Sequence, residues 1–305
     1  MTKKIIITGA TGLIGKKLSK ALINRGDKVI VFSRNTSKAK TEIPDAYKYV
    51  EWDYECLEHW QNEMNGVDAV IHLAGANVFG KRWNVSYKKN ILESRIVSTS
   101  NLVKAIKNST SKPSVFISSS AIGFYGDKGN EIIDETSLPG DDFLALVCKK
   151  WEEEASEVKK FGVRYAGIRT GIVLNPNDGA LKQMLLPFKL FLGGPLGNGK
   201  QWFPWIHVDD IVGIYLFSLD NSLINDGVNA ASPNPVTMKD FAKTLGKVLH
   251  RPYIFAVPRF AMKVALGEIA DVVMASQRVY PKKLIEFDYR FKFENLREAL
   301  MNLLK

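Results

Sequence analysis

A chain of 305 residues with 46% hydrophobic and 24% charged residues can build one sizeable core and is too apolar to be a disordered polypeptide. Two cysteines, Cys56 and Cys148, and four scattered histidines exclude a disulfide framework and a metal cluster, so no metal is expected and a reducing compartment fits. The net charge of +10 is dispersed over doublets such as Lys16-Lys17, Lys149-Lys150 and Lys282-Lys283 in helical contexts, without the fingerprint of a nucleic-acid module, so no nucleic-acid partner is expected.

At the N-terminus, "MTKKIIITGATG" places two lysines before a short apolar run that meets glycine at once, which reads as a buried strand rather than a secretory leader. No stretch reaches the roughly 18 apolar residues of a membrane-crossing helix. The expectation is a cytoplasmic protein with no membrane partner. The runs "KIIITGA", "KVIVFSR", "AVIHLAG", "SVFISSS" and "RYAGIRTGIVL" are rich in Val and Ile, and each is followed by a longer amphipathic segment. That alternation predicts βαβ units, a doubly wound parallel sheet of the α/β class, and a ligand outside the carboxyl ends of the strands. Residues 1–175 carry the pattern, and "HVDDIVGIYLFSL" returns to it within a segment at 205–232. Most of 176–305, including the Gly-, Pro- and Trp-dense "GGPLGNGKQWFPW", reads as a smaller carboxyl-terminal portion closing a substrate cleft.

"GATGLIG" sets Gly9, Gly12 and Gly15 directly after the first strand and at the start of a helix. A pyrophosphate needs that arrangement: a tight turn, close approach of backbone N–H groups, and a helix N-terminus that favours negative charge. The end of the second strand selects the dinucleotide. A free 2′-hydroxyl calls for Asp or Glu there, whereas Ser33 and Arg34 offer a hydroxyl and a guanidinium to a 2′-phosphate, so NADP is the expected cofactor. The alternative for Arg34 is an ordinary surface arginine.

These residues, with "HLAGA" at 72–76 and "SSSAIGFYG" at 118–126, resemble the extended short-chain dehydrogenase/reductase superfamily of NAD(P)-dependent epimerases and dehydratases. "VCKKWE" at 147–152, "LGGPLGNGKQWFPWIHVDD" at 192–210 and "SQRVYPKKL" at 276–284 are similar to an atypical subfamily known as epimerase family proteins, over essentially the whole chain. The resemblance implies a Rossmann fold in which Gly9, Thr11, Gly12, Leu13, Ile14, Ser33 and Arg34 hold the adenosine diphosphate half. It places Asp53 near the adenine, Leu73, Ala74 and Gly75 along the ribose, Asn90 on a cofactor-facing helix, and Val115 and Val173 in packing contact. For Asp53 a loop carboxylate, and for Asn90 a solvated helix face, are the competing readings.

In the standard enzymes an Asn, a Ser, a Tyr and a Lys cooperate in proton transfer. Here Ser120 matches the serine and Arg95 stands at the asparagine position. The tyrosine position falls on Ala145 or Leu146, and a lysine follows at 149 or 150. Tyr125 is the nearest phenol in sequence and is the candidate acid, with pocket lining as its alternative. Arg95 is the candidate for stabilising a developing oxyanion. In the Trp-rich segment Lys200, Gln201 and Trp202 are candidates to bind an unidentified small polar substrate, sugar-like or anionic. Two functions follow: an NADP-dependent oxidoreductase or epimerase, or an NADP-binding regulator or scaffold without turnover. No oligomeric state is legible.

Overall fold

The five apolar runs become strands of one sheet in a computed structural model that describes residues 2–305. In chain order its strands are β1 (Lys4–Thr8), β2 (Lys28–Ser33), β3 (Lys48–Glu51), β4 (Ala69–His72), β5 (Val115–Ala121), β6 (Arg164–Thr170) and β7 (Asp226–Ala230). They lie in the order β3-β2-β1-β4-β5-β6-β7 and every pair is parallel. The order reverses direction between β1 and β4, which opens a crevice at their carboxyl ends where doubly wound sheets bind ligands.

Successive side chains of a strand point to opposite faces, so a sheet covered on both sides needs unbroken apolar runs. Ile5 and Ile7 of β1 pack with α1 (Leu13–Asn24) and α6 (Val208–Asp220) through Leu18, Leu22, Ile211 and Tyr215. Ile6 faces the other way, into a layer that includes Leu102 and Ile106 of α3 (Val85–Asn108) and Ala155 of α4 (Phe143–Ser156). A separate apolar cluster gathers α5 (Gly179–Lys189), α7 (Met238–Leu249) and α11 (Leu296–Leu304) round Trp205, Phe241 and Leu300. The short strand Trp205–His207 that precedes α6 pairs in parallel with Ile172–Leu174, tying this cluster to the end of β6. No helix among the described residues is long and apolar enough to cross a membrane.

One titratable group is locked inside the sheet–helix interface. His72, at the end of β4, lies 2.7 Å from Thr8 Oγ1 through Nδ1 and 3.3 Å from Ser98 Oγ through Nε2. Burial pushes its imidazole down to about 3. The folded chain therefore keeps His72 neutral where the unfolded chain, with a value near 6.5, takes up a proton. This contribution to stability is intact above pH 6.5 and falls by about 1.4 kcal/mol per pH unit as pH drops toward 3. Urea unfolding midpoints measured between pH 7 and pH 4 should show that slope, and His72→Asn should remove it.

Candidate active site

The glycine loop fits a dinucleotide diphosphate on steric grounds. Gly9 has φ +67°, and a Cβ there would stand 2.8 Å from the backbone carbon of Leu73. A Cβ on Gly15 would sit 2.4 Å from the Gly9 carbonyl oxygen, so only glycine lets α1 start this close to the strand. Gly12 is the N-cap of α1, and the helix has neither a side-chain cap nor an acidic residue in its first turn. Its free N–H groups and the positive end of its dipole are thus left for an anion. Thr11, Leu13 and Ile14 lie on this turn. Ser33 closes β2, its hydroxyl accepting from the Asn35 N–H at 3.2 Å. Arg34 is exposed and, among the described residues, has no carboxylate partner.

Leu73, Ala74 and Gly75 leave β4 at the same edge, with the Leu73 N–H bonded to the Thr8 carbonyl at 3.2 Å. Against them lies Arg95 of α3, whose guanidinium donates to the carbonyls of Ala76 and Ile91 at 3.1 and 2.9 Å and rests 4.9 Å from the ring centre of Trp151. Burial holds its pKa below the usual arginine value, and no carboxylate among the described residues pairs with it. An uncompensated cation thus faces the loop beside the crevice. Asp53 is exposed and accepts from the Glu55 N–H in its own turn at 3.0 Å, and Asn90 is exposed on α3. Val173 lies in the short strand past the end of β6, half-buried. Val115 is a correction: it begins β5 at the amino end, 1% exposed and paired with Ala69 and Arg164, so the length of the strand separates it from the cofactor edge.

The phase of α4 corrects a second expectation. Lys149 and Lys150 are exposed and Leu146 is 45% exposed, so these three turn away from the end of β5, and the buried Ala145 lies about 100° round the helix from Leu144. The residues that face the end of β5 are Leu144, Cys148 and Glu152, spaced four apart on one side of the helix. A Cβ on Gly123, just past β5, would lie 3.4 Å from Leu144 Cβ and 3.9 Å from Cys148 Sγ. An apolar side chain and a thiol thus occupy the face that the phenol and ammonium would need. Burial pushes the Cys148 thiol up to about 11, so it stays protonated at neutral pH. Trp151, on the adjoining side, donates from Nε1 to Thr99 Oγ1 of α3 at 3.0 Å.

Ser120 enters a network built on Glu152. Its hydroxyl donates to Glu152 Oε1 at 2.6 Å, and Arg169 of β6 clamps the same carboxylate through Nε at 2.9 Å and a terminal nitrogen at 2.8 Å. Burial works against the Arg169 charge, yet Glu152 holds its pKa above the usual arginine value. Gly227 of β7 makes room for the guanidinium, since a Cβ there would be 2.5 Å from Cζ. The other terminal nitrogen of Arg169 donates to the Tyr125 hydroxyl at 2.8 Å, and that hydroxyl donates to Asn229 Oδ1 at 2.7 Å. Tyr125 is 0% exposed and burial pushes its phenol up to about 12. With its hydroxyl donating to Asn229 and no exposed surface, Tyr125 takes part in this network and lines no open pocket.

Outside this network lies a cavity of about 1030 Å³ whose lining includes Trp83, Leu144, Lys200, Gln201, Trp202 and Met274. Lys200 is exposed. Gln201 donates to the Leu196 carbonyl at 2.9 Å while its buried Oε1 has no partner. Trp202 donates from Nε1 to Asn130 Oδ1 at 2.8 Å, and the Arg278 guanidinium lies 4.5 Å from its ring centre. Further along, "HVDD" opens α6 as a helix start, with His207 as the cap accepting from the Asp209 N–H and Asp210 accepting from the backbone of Lys292 and Phe293.

Residues 5–231 match the NAD dependent epimerase/dehydratase family, and residues 257–303 match a domain of unknown function, DUF1731. The chain belongs to the NAD-dependent epimerase/dehydratase family. It is 40% identical over 303 residues to an Arabidopsis thaliana epimerase family protein SDR39U1 homolog, chloroplastic, covering 99% of this chain and 86% of that one. It is 37% identical over 301 residues to the Bacillus subtilis epimerase family protein YfhF, covering 98% and 97%. Its fold superposes with a TM-score of 0.86 on the human epimerase family protein SDR39U1 (isoform 2), solved with NADPH, at 30% identity and 98% coverage of both chains. The seven-stranded Rossmann sheet is therefore that of the family's NAD(P)-binding structures.

Glu152 and Arg169 are the site residues that sequence reasoning missed. A signal existed in each case. Arg169 is the lone charge in "YAGIRTGIVL", which demands a buried partner, and Glu152 stands four residues beyond the buried Cys148.

Proposed function

We propose that this protein is an NADP(H)-dependent oxidoreductase or epimerase acting on a hydroxyl-bearing small molecule, with Ser120 holding the reacting hydroxyl and Glu152 orienting Ser120. The observation that carries the reading is the 2.6 Å hydrogen bond from Ser120 to a carboxylate fixed in place by Arg169. Because the Ser120 proton points inward to Glu152, its oxygen lone pairs are left to accept from a substrate hydroxyl at the cofactor edge. Ser120 thus positions that hydroxyl for hydride transfer, and Glu152, whose charge balances Arg169, keeps the Ser120 proton turned inward. A nicotinamide cofactor bound in the crevice would supply the hydride acceptor or donor. Arg95, a cation without a carboxylate partner among the described residues and packed against Gly75, is our candidate to stabilise negative charge on the reacting oxygen.

The cavity favours a sugar-like ligand over an anionic one. Its walls carry the carboxylates of Asp127, Asp141, Asp142, Glu268 and Asp271 against Lys200 and Arg259. A polyol can donate to these oxygens, and Trp83 and Trp202 offer apolar faces to a ring. The second reading, an NADP-binding regulator, is favoured by Leu144 and Cys148 standing where phenol and ammonium would be.

The test is a panel of sugars, keto-sugars and other hydroxylated ketones, read for NADPH consumption and, because an epimerase returns its hydride, for inverted product by NMR. Turnover is expected with at least one of them, and Ser120→Ala should lower kcat about 100-fold while leaving NADPH affinity unchanged. NADPH binding with neither consumption nor inversion of any of them, in a protein carrying no second ligand from its host, supports the regulator instead.

A further inference from the structure

The carboxyl-terminal portion carries an exposed apolar face that borders the cavity only through Arg259. Leu186 of α5 and Leu190, the residue that caps its carboxyl end, stand one turn apart and continue into Phe191 and Leu192, all exposed. Beside them run Ile254 and Phe255, followed by α8 (Arg259–Leu266), a helix with no buried residue, on which Phe260 and Val264 are 72% and 74% exposed one turn apart. The two segments are joined edge to edge: the Phe255 N–H bonds the Gly193 carbonyl at 3.1 Å, and the Val257 N–H bonds the Pro195 carbonyl at 3.0 Å. Arg251 lies 4.5 Å from the ring centre of Phe191. Monomeric proteins rarely expose so much contiguous apolar surface without a partner.

Charge identifies the partner. Residues 179–208 contain three lysines and no Asp or Glu, and residues 241–267 contain five Lys and Arg and no Asp or Glu. Asp271 draws Arg259 and Lys263 at 3.0 and 3.4 Å. Lys182, Lys189 and Arg251, which border the apolar side chains, have no carboxylate partner among the described residues. A second copy of this chain docked face to face would set these cations against themselves. Large apolar side chains bordered by unpaired Lys and Arg instead match a bilayer surface of anionic lipid, with the side chains in the headgroup–acyl boundary and the cations at the phosphates.

We propose that this face, 186–192 with 254–264, docks the protein on an anionic membrane surface as a peripheral contact. Sedimentation of the full chain with vesicles tests it, using phosphatidylcholine alone and phosphatidylcholine with about 30 mol % phosphatidylglycerol. Binding at least about ten times stronger to the anionic vesicles is expected, weakening as salt is added. Leu190→Glu with Phe260→Glu should abolish it while leaving the melting temperature within about 2 °C, because both side chains are exposed. Equal partition into both vesicle types, no partition into either, or undiminished binding by the variant would overturn the proposal. A dimer in sedimentation velocity that the same variant dissolves would overturn it in favour of a second copy.

Discussion

Glu152→Ala should destabilise the fold by about 3–5 kcal/mol, the cost of leaving a buried cation without its partner. Arg169 has an 8% exposed side chain and places two of its hydrogen bonds on Glu152. Removing the carboxylate strands that charge in the interior, and the remaining bonds to the Tyr125 hydroxyl and the Glu135 carbonyl cannot neutralise it. Glu152→Gln keeps the shape and loses the charge, so it should be destabilising for the same reason. Replacing both residues, Glu152→Met with Arg169→Met, should recover most of the loss, because an apolar pair needs no desolvation of ions. Urea midpoints of the three variants decide the matter. A single variant as stable as the parent would mean that water reaches Arg169 and that the clamp on Ser120 is loose.

Ser33→Asp with Arg34→Ala should reverse the choice of dinucleotide. In the parent Arg34 is exposed just past the end of β2 and makes no ion pair among the described residues, so its guanidinium is available to a 2′-phosphate. A charge-assisted bond of that kind is worth roughly 1.5–3 kcal/mol, or about 10- to 100-fold in affinity. An aspartate at 33 can still accept from the Asn35 N–H, as the serine does, so the turn into α2 (Thr36–Glu42) should survive. Its carboxylate would accept from a free 2′-hydroxyl and repel a phosphate. The double variant should therefore bind NADH more tightly than NADPH.

The strands were legible because a sheet buried on both faces writes itself as unbroken Val and Ile runs, and the loop because three glycines each answer a separate steric demand. The phase of α4 was not. Two adjacent lysines invite a pairing with whatever stands four residues earlier, but a helix turns by 100° per residue, and an error of one residue replaces Cys148 by Lys149 on the inner face. Val115 misled in another way: "SVFISSS" marks a strand without saying that its catalytic end is the serine end. Tyr125 lay close to Ser120 in sequence, yet the chain leaves β5 through Gly123 and carries the phenol inward to Arg169. The Arg169–Glu152 pair spans two elements, and single-sequence reasoning has no means of joining them beyond noting that each charge needs a partner.

The central claim is that this crevice is built for a dinucleotide with a 2′-phosphate, and calorimetric titration of NADPH and NADH into the parent protein tests it most directly. The account predicts that NADPH binds about 10 to 100 times more tightly, with an advantage that shrinks as salt is added. Equal affinities at low salt would contradict it and leave Arg34 as a surface cation with no part in the site.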